Sequence, residues 1–228
     1  MNGVLGMTQM LMFTPLSEEQ EQFCQTILTS SNALLKLLND FLDFSKAEAG
    51  AEQVVLEIFE IRKLLDDLLN LFSGSAKVKG LKLTAEMDPD IQELLISDPE
   101  MIRRILTNLV ANAIKFTDAG SVTLRLELVK ADLAHQWIRL EVCDTGIGTT
   151  PLQQEIIFQP FRQADERTTR KYGGSGLGLS IAKSLVELLG GKIELKSAKD
   201  KGSCFSYTLA FERVKQSVAY NPPIPVKQ

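Results

Sequence analysis

The 228 residues are 44% hydrophobic and 24% charged, with a formal net charge of −4. That is enough apolar content for a proper core in one or two domains, and the acidic balance argues against broad nucleic-acid binding. No apolar run approaches the ~20 residues of a membrane span, and the N-terminus has neither a basic region nor a cleavage site. A soluble, cytoplasmic piece is therefore expected, with any membrane anchor outside these residues. Cys24, Cys143 and Cys204 lie far apart without C-x-x-C spacing, which suits a reducing compartment better than a disulfide framework.

In chain order, "MNGVLGMTQMLMF" reads as the tail of a helix interrupted by "TPLS". Ser17 and Gln20 have capping-box spacing for a second helix. Along it Phe23, Ile27, Ser30, Leu34, Leu37, Phe41 and Phe44 alternate steps of four and three, a heptad seam with one polar exception. Gly50 ends that helix, and from residue 53 the pattern becomes mixed α and β. "EQVVLEIFE" reads as a short strand, "IRKLLDDLLNLFSGSAKVKG" as a helix closed by Gly80, and "LKLTAEM" as a strand. Asp98 and Pro99 give an N-cap and first-turn signal for the next helix. "SVTLRLELV" and "QWIRLEVCD" alternate as strands, with His135 in the polar loop between them. A glycine-rich loop then opens the helix "LGLSIAKSLVELLGG", strands "KIELKS" and "SCFSYTLAF" follow, and "YNPPIPVKQ" reads as a linker.

Three stretches carry chemistry. In "NLVANAIKFT", Asn108, Asn112 and Lys115 fall within about 60° of each other on a helix, beside the apolar stripe Ile102, Ile105, Leu109, Ala113 and Phe116. Two amides and an ammonium there suit a metal-phosphate group or, equally, an ordinary solvated face. Asp144 continues the inward parity of Ile138, Leu140 and Val142 at the strand end. A carboxylate so placed needs a partner. The following "TGIG" lets backbone approach a ligand through Gly146 and Gly148. That carboxylate suits the exocyclic amine of adenine and would reject guanine; a plain Asp-Gly turn is the bland reading. "GGSGLGLSIAK" puts glycines ahead of a helix N-terminus, where backbone N–H groups favour phosphate. Its spacing matches neither a P-loop nor a clean dinucleotide fingerprint.

Taken together and in order, Asn108/Asn112/Lys115, "DTGIG", "FQPFRQAD", "YGGSGLGLSIAK" and "GSCFSYTL" resemble the N, G1, F and G2 boxes of hybrid-type sensor histidine kinases. "MNGVLGM" and "LLNDFLDFSKAEAG" resemble parts of the dimerisation hairpin of that family. The resemblance implies an α+β fold, a two-layer α/β sandwich of the Bergerat type, preceded by a helical-hairpin dimerisation segment. It divides the chain into a truncated hairpin at 1–50, an ATP-binding catalytic domain at 53–213 and a linker at 214–228. It implies ATP and Mg²⁺ as ligands, with Asn112 on the metal, Asn108 beside it and Lys115 reaching phosphate oxygens. Asp144 would read the adenine, with Gly146 and Gly148 lining its pocket. Gly174, Gly176 and Gly178 would flank the phosphates as the hinge of a lid, and Lys171, Tyr172 and Leu177 would also bind ATP. A homodimer through the helix Phe23–Phe44 and a response regulator or receiver domain are the implied partners. The family's phosphoacceptor histidine would lie upstream of Met1, and the chain's one histidine, His135, reads as a solvated residue. Two alternatives remain: a non-catalytic ATP-binding and dimerisation module, or an ATPase of the same fold.

Overall fold

A computed structural model describes residues 1–48, 52–162 and 176–214. Its first helix, α1 (Asn2–Met12), packs against α2 (Glu18–Glu48). The anticipated capping box starts α2: the Ser17 N–H donates to Gln20 Oε1 at 2.9 Å, and the Gln20 N–H donates to Ser17 Oγ at 3.3 Å. The hairpin buries Thr8, Cys24 and Ser31. Seam residues Phe23, Ile27, Leu34, Leu37 and Phe41 all remain exposed.

The remaining elements are β1 (Glu57–Glu60), α3 (Ile61–Val78), β2 (Lys82–Met87), β3 (Leu94–Ser97), α4 (Pro99–Phe116), β4 (Ser121–Ala131), β5 (His135–Asp144), α5 (Pro151–Ile156), α6 (Gly178–Leu188), β6 (Ile193–Ser197) and β7 (Ser203–Arg213). The strands form one mixed sheet in the order β1-β3-β7-β5-β4-β2, with β6 also paired to β7. Only β2 and β4 run parallel among these pairs. Alternation decides the two faces. Val122, Leu124 and Leu126 of β4, Ile138, Leu140 and Val142 of β5, and Phe205, Tyr207, Leu209 and Phe211 of β7 point into one core. There they meet buried residues of α3, α4 and α6, such as Leu68, Leu106 and Leu185. The opposite face carries a polar lattice in which Arg139 Nε donates to Glu141 at 2.8 Å and its Nη2 donates to Ser206 at 2.6 Å. Helices on one face and charge on the other make a two-layer sandwich.

Four expectations change. The stretch "EQVVLEIFE" contributes only Glu57–Glu60 as strand, because Val54, Val55 and Leu56 stay exposed. Strand β3 and helix α5 were not foreseen. His135 is no loop residue: it opens β5 opposite Glu212, because Asp132 Oδ1 accepts from the Ala134 and His135 N–H groups and tightens the turn before it. Cys143 and Cys204 are bonded to each other across β5 and β7, so the reading of unpaired thiols holds only for Cys24.

Candidate functional site

Helix α4 is fixed at both ends. At its start, Asp98 Oδ1 accepts from the Met101 N–H at 2.9 Å, while Oδ2 accepts from the Val55 N–H at 2.9 Å. One buried carboxylate thus caps the helix and ties down the preceding chain, which the Glu52–Arg104 ion pair holds as well. Ile102, Ile105, Leu106, Leu109 and Ala113 seat α4 on the sheet, leaving Asn108, Asn112 and Lys115 half-buried on another flank. At the far end the Lys79 ammonium donates to the carbonyls of Ile114, Lys115 and Thr117 at 2.8, 2.8 and 3.2 Å. A cation there satisfies orphan carbonyls and complements the helix dipole. Lys115 Nζ lies 4.6 Å from the Phe116 ring centroid.

Asp144 is the last residue of β5 and sits on the inward parity, as expected. Its Oδ1 accepts from the Gly146 N–H at 2.8 Å and the Ser203 N–H at 3.3 Å. Among the described residues Oδ2 accepts no hydrogen bond. Burial raises the Asp144 pKa above the usual carboxylate value, and the two N–H groups oppose that shift. The loop after Asp144 is joined to the end of α4, because the Ile147 N–H donates to the Phe116 carbonyl at 3.3 Å. Its glycines answer to the protein's own backbone. A Cβ on Gly146 would lie 2.4 Å from the Phe116 oxygen, and one on Gly148 would lie 1.9 Å from the Ala198 oxygen.

The N-terminus of α6 meets the amide row of α4. A Cβ on Gly178 would lie 3.4 Å from Asn108 Oδ1 and 3.9 Å from Asn112 Nδ2. Helix α6 has no side-chain cap hydrogen bond among the described residues and no acid in its first turn, and first-turn N–H groups with the helix dipole favour an anion. Gly176 takes φ +71°, and its carbonyl accepts from the Phe161 N–H at 3.2 Å. Leu177 buries its side chain in the core, and its carbonyl accepts from the Ser180 hydroxyl at 2.8 Å and the Ile181 N–H at 2.9 Å.

Residues 97–213 match the histidine kinase-, DNA gyrase B-, and HSP90-like ATPase family, and residues 1–50 match the His Kinase A (phospho-acceptor) domain. The chain belongs to the histidine kinase-like ATPase family. It is 38% identical over 226 residues to the signal transduction histidine-protein kinase BarA of Shigella flexneri, covering 98% of this chain and 24% of BarA. It is 39% identical over 225 residues to the autoinducer 2 sensor kinase/phosphatase LuxQ of Vibrio cholerae, covering 99% of this chain and 26% of LuxQ. The chain thus spans about a quarter of the length of these relatives. The structure of full-length ShkA in complex with AMPPNP superposes with a TM-score of 0.81 and 32% identity, covering 93% of this chain and 43% of ShkA. The sandwich carries the fold of that family.

Within this family fold the structure draws together Asn108, Asn112 and Gly178 on one side, and Asp144 and Gly146 on the other. The Phe116–Ile147 bond joins the two sides. Lys171, Tyr172 and Gly174 lie outside the described residues. No acidic metal cage borders Asn112: among the described residues, the one group of three His, Cys, Asp or Glu side chains is Glu141, Cys143 and Cys204, on the outer sheet face. An amide oxygen suits a cation that keeps most of its shell as water and phosphate oxygens, which is the habit of Mg²⁺. Lys79 and Ser203 escaped the sequence reading. Lys79 acts on carbonyls 35 to 38 residues away, which no local pattern reveals. Ser203 contributes a backbone N–H, available from any residue there except proline. No described helix is long and apolar enough to cross a membrane.

Proposed function

We propose that residues 53–213 hold Mg·ATP and transfer its γ-phosphoryl group to a histidine upstream of this sequence, with 1–50 as the dimerisation hairpin and 214–228 as a linker. The inclusion of β1 and β2 in the same sheet as β3 to β7 supports starting the catalytic domain near residue 53. In this reading Asp144 accepts from the adenine amine, using the oxygen that the Gly146 and Ser203 N–H groups leave open. Asn112 ligates Mg²⁺, which neutralises phosphate charge when bound. Asn108 sits beside it, Lys115 reaches phosphate oxygens, and the α6 N-terminus takes the remaining negative charge. A response regulator or receiver domain is the onward acceptor.

The observation that carries this reading is the meeting of an uncapped helix N-terminus with the Asn108/Asn112 row. It also favours transfer over hydrolysis. The gyrase- and chaperone-type ATPases of this fold use a Glu base at the position of Asn108, and an amide takes no proton from water. The chain's one histidine, His135, is at the opposite end of β5 from Asp144, roughly 30 Å along the strand. On its own the 228-residue chain therefore binds ATP without labelling itself. Calorimetry of Asn112→Ala and Lys115→Ala tests the assignment. Both variants are expected to lose Mg·ATP affinity while keeping that for adenosine, since only phosphates need those groups. Wild-type Mg·ATP binding in both, or γ-phosphate labelling at His135, would overturn it.

A further inference from the structure

Cys143 and Cys204 face each other across the ladder between β5 and β7, with Cα atoms 4.0 Å apart. Both are half-exposed on the outer, polar face of the sheet, away from the helices. Neither belongs to the nucleotide site as described. Yet the next pair in the ladder is Asp144 and Ser203, in which the Ser203 N–H donates to Asp144 Oδ1 at 3.3 Å. Beyond it, Ser197 Oγ donates to the Gly202 carbonyl at 2.9 Å and accepts from the Thr149 N–H at 2.8 Å. A Cβ on Gly202 would lie 1.9 Å from the Asp144 carbonyl oxygen. The backbone around Asp144 thus packs tightly and begins one residue beyond the cysteine pair.

We propose that Cys143 and Cys204 form a site of reversible thiol oxidation whose state tunes the nucleotide site through Asp144. Three observations carry it. The cysteines occupy directly opposed positions, so the strand register itself holds the two sulfurs side by side. They lie on an open face, within reach of a small thiol or disulfide. Lys196 is the β6 residue paired with Cys204, a cation that favours negative charge on sulfur during exchange, set against the Glu141 carboxylate within 4.8 Å of both sulfurs, which opposes it. In the reducing direction a dithiol attacks one sulfur and the Cys143–Cys204 bond breaks. Both cysteines end as thiols, and the reductant leaves as its own disulfide. In the oxidising direction a low-molecular-weight disulfide accepts the two electrons and leaves as two thiols. With the bond closed, the end of the β5–β7 ladder is fixed where Asp144 projects; with it open, that end frays more readily.

The link to nucleotide rests on the function proposed above, whereas the thiol chemistry does not, so the two fail separately. The 228-residue chain is treated with oxidised glutathione or with dithiothreitol, freed of reagent, denatured and titrated for thiols. One free thiol, Cys24, is expected after oxidation and all three after reduction. ATP affinity of each form is then measured by calorimetry. The reduced form is expected to bind about fivefold more weakly, the low end for coupled sites. Cys143→Ser and Cys204→Ser are expected to match the reduced form whatever the treatment, and Cys24→Ser to respond like wild type. Three thiols after oxidation would overturn the site. One thiol with equal ATP affinity in both forms would overturn the coupling. A normal thiol response with no ATP binding in either form would overturn the proposed function and the coupling, and leave the thiol site standing. The two treatments of wild-type protein decide the matter even where a serine variant folds poorly.

Discussion

On α4, Ile102, Ile105 and Leu109 are each 0% exposed, whereas on α2, Phe23, Ile27 and Leu34 are 59%, 43% and 53% exposed. Both helices space their apolar residues by threes and fours. The difference lies in what each stripe meets: α4 lies over a sheet whose inward side chains fill the space beneath it, while α2 touches α1 and α6 and still leaves these seam residues exposed. Periodicity therefore announces that a stripe will be covered without saying by what. Exposed Met7 and Met10 on α1 and Phe13 just after it extend the exposed apolar surface, and apolar area on that scale marks an interaction face. In the function proposed above, a second copy of the chain covers it.

The largest effect is expected where that contrast is broken outright. Leu106, fully buried between α4 and the sheet, is expected to lose about 2–5 kcal/mol of stability as Leu106→Ala, through lost transfer energy and the cavity left behind. Leu34→Ser is expected to leave catalytic-domain unfolding nearly unchanged and to shift the chain toward monomer. Chemical denaturation and analytical ultracentrifugation of both variants check the pair. A strongly destabilised Leu34→Ser with unchanged association would show that the seam packs within its own chain.

Next in size is Asp144→Asn, which separates function from stability inside the core unit. The neutral amide forfeits a charge-assisted hydrogen bond to adenine, about 1.5–3 kcal/mol or one to two decades of affinity. Stability moves the other way. Burial raises the Asp144 pKa, so its contribution to folding is present below the ordinary value of 3.8 and lost as pH rises through the raised one. At neutral pH the charged carboxylate opposes folding, and Asp144→Asn is expected to melt no lower than wild type. Wild-type ATP affinity is expected to fall on acidification at a higher pH than an ordinary aspartate would give. Melting curves and calorimetry from below the ordinary value of 3.8 up to neutral pH check both signs.

Lys79→Met probes the far end of α4 more gently. Removing the ammonium leaves the carbonyls of Ile114, Lys115 and Thr117 without their cation, at about 1–2 kcal/mol for a partly buried helix C-terminus. Because Phe116 also accepts from Ile147, nucleotide affinity is expected to weaken with it, and Lys79→Arg to restore part of both. Unchanged affinity in Lys79→Met would confine the residue to structural capping.

The elements that the sequence reveals are those whose signal is local. Asp98 with Pro99 starts α4, Ser17 with Gln20 starts α2, and strict alternation places Asp144 inward, all as the residues indicate. Strand β3 is four residues, "LLIS", too short to display a period. Helix α5 is six residues, and its capping box of Thr150 and Gln153 sits directly after a glycine-rich turn that masks it. The cysteine bond spans 61 residues and depends on strand register, so spacing alone could not show it. The glycines after Asp144 were legible as a close approach, but the near neighbours prove to be the carbonyls of Phe116 and Ala198. Asn108 and Asn112 were legible as a row; their meeting with Gly178 needed the fold.

The smallest expected effect lies in the core itself and sharpens its contrast with the hairpin. Tyr207 points inward from β7, is 2% exposed, and its hydroxyl has no hydrogen-bond partner among the described residues. Burial pushes its ionisation far above the ordinary range for tyrosine, so the group is a neutral phenol at every working pH. A buried hydroxyl without a partner forfeits roughly 1–3 kcal/mol of solvation, while the ring around it contributes ordinary apolar burial. Tyr207→Phe removes the first and keeps the second, at the expense of a small void where the oxygen was. The expected net is a gain of about 1 kcal/mol, seen as a melting temperature roughly 2–4 °C higher for a domain of this size. Nucleotide affinity should stay the same, since the residue lies in the core and not at the Asp144 or Asn112 positions. A loss of stability in Tyr207→Phe would show that the hydroxyl is satisfied, with a buried water as its partner, and that the core follows the same rule of paired polar groups at Tyr207 as it does at Asp98 and Thr117.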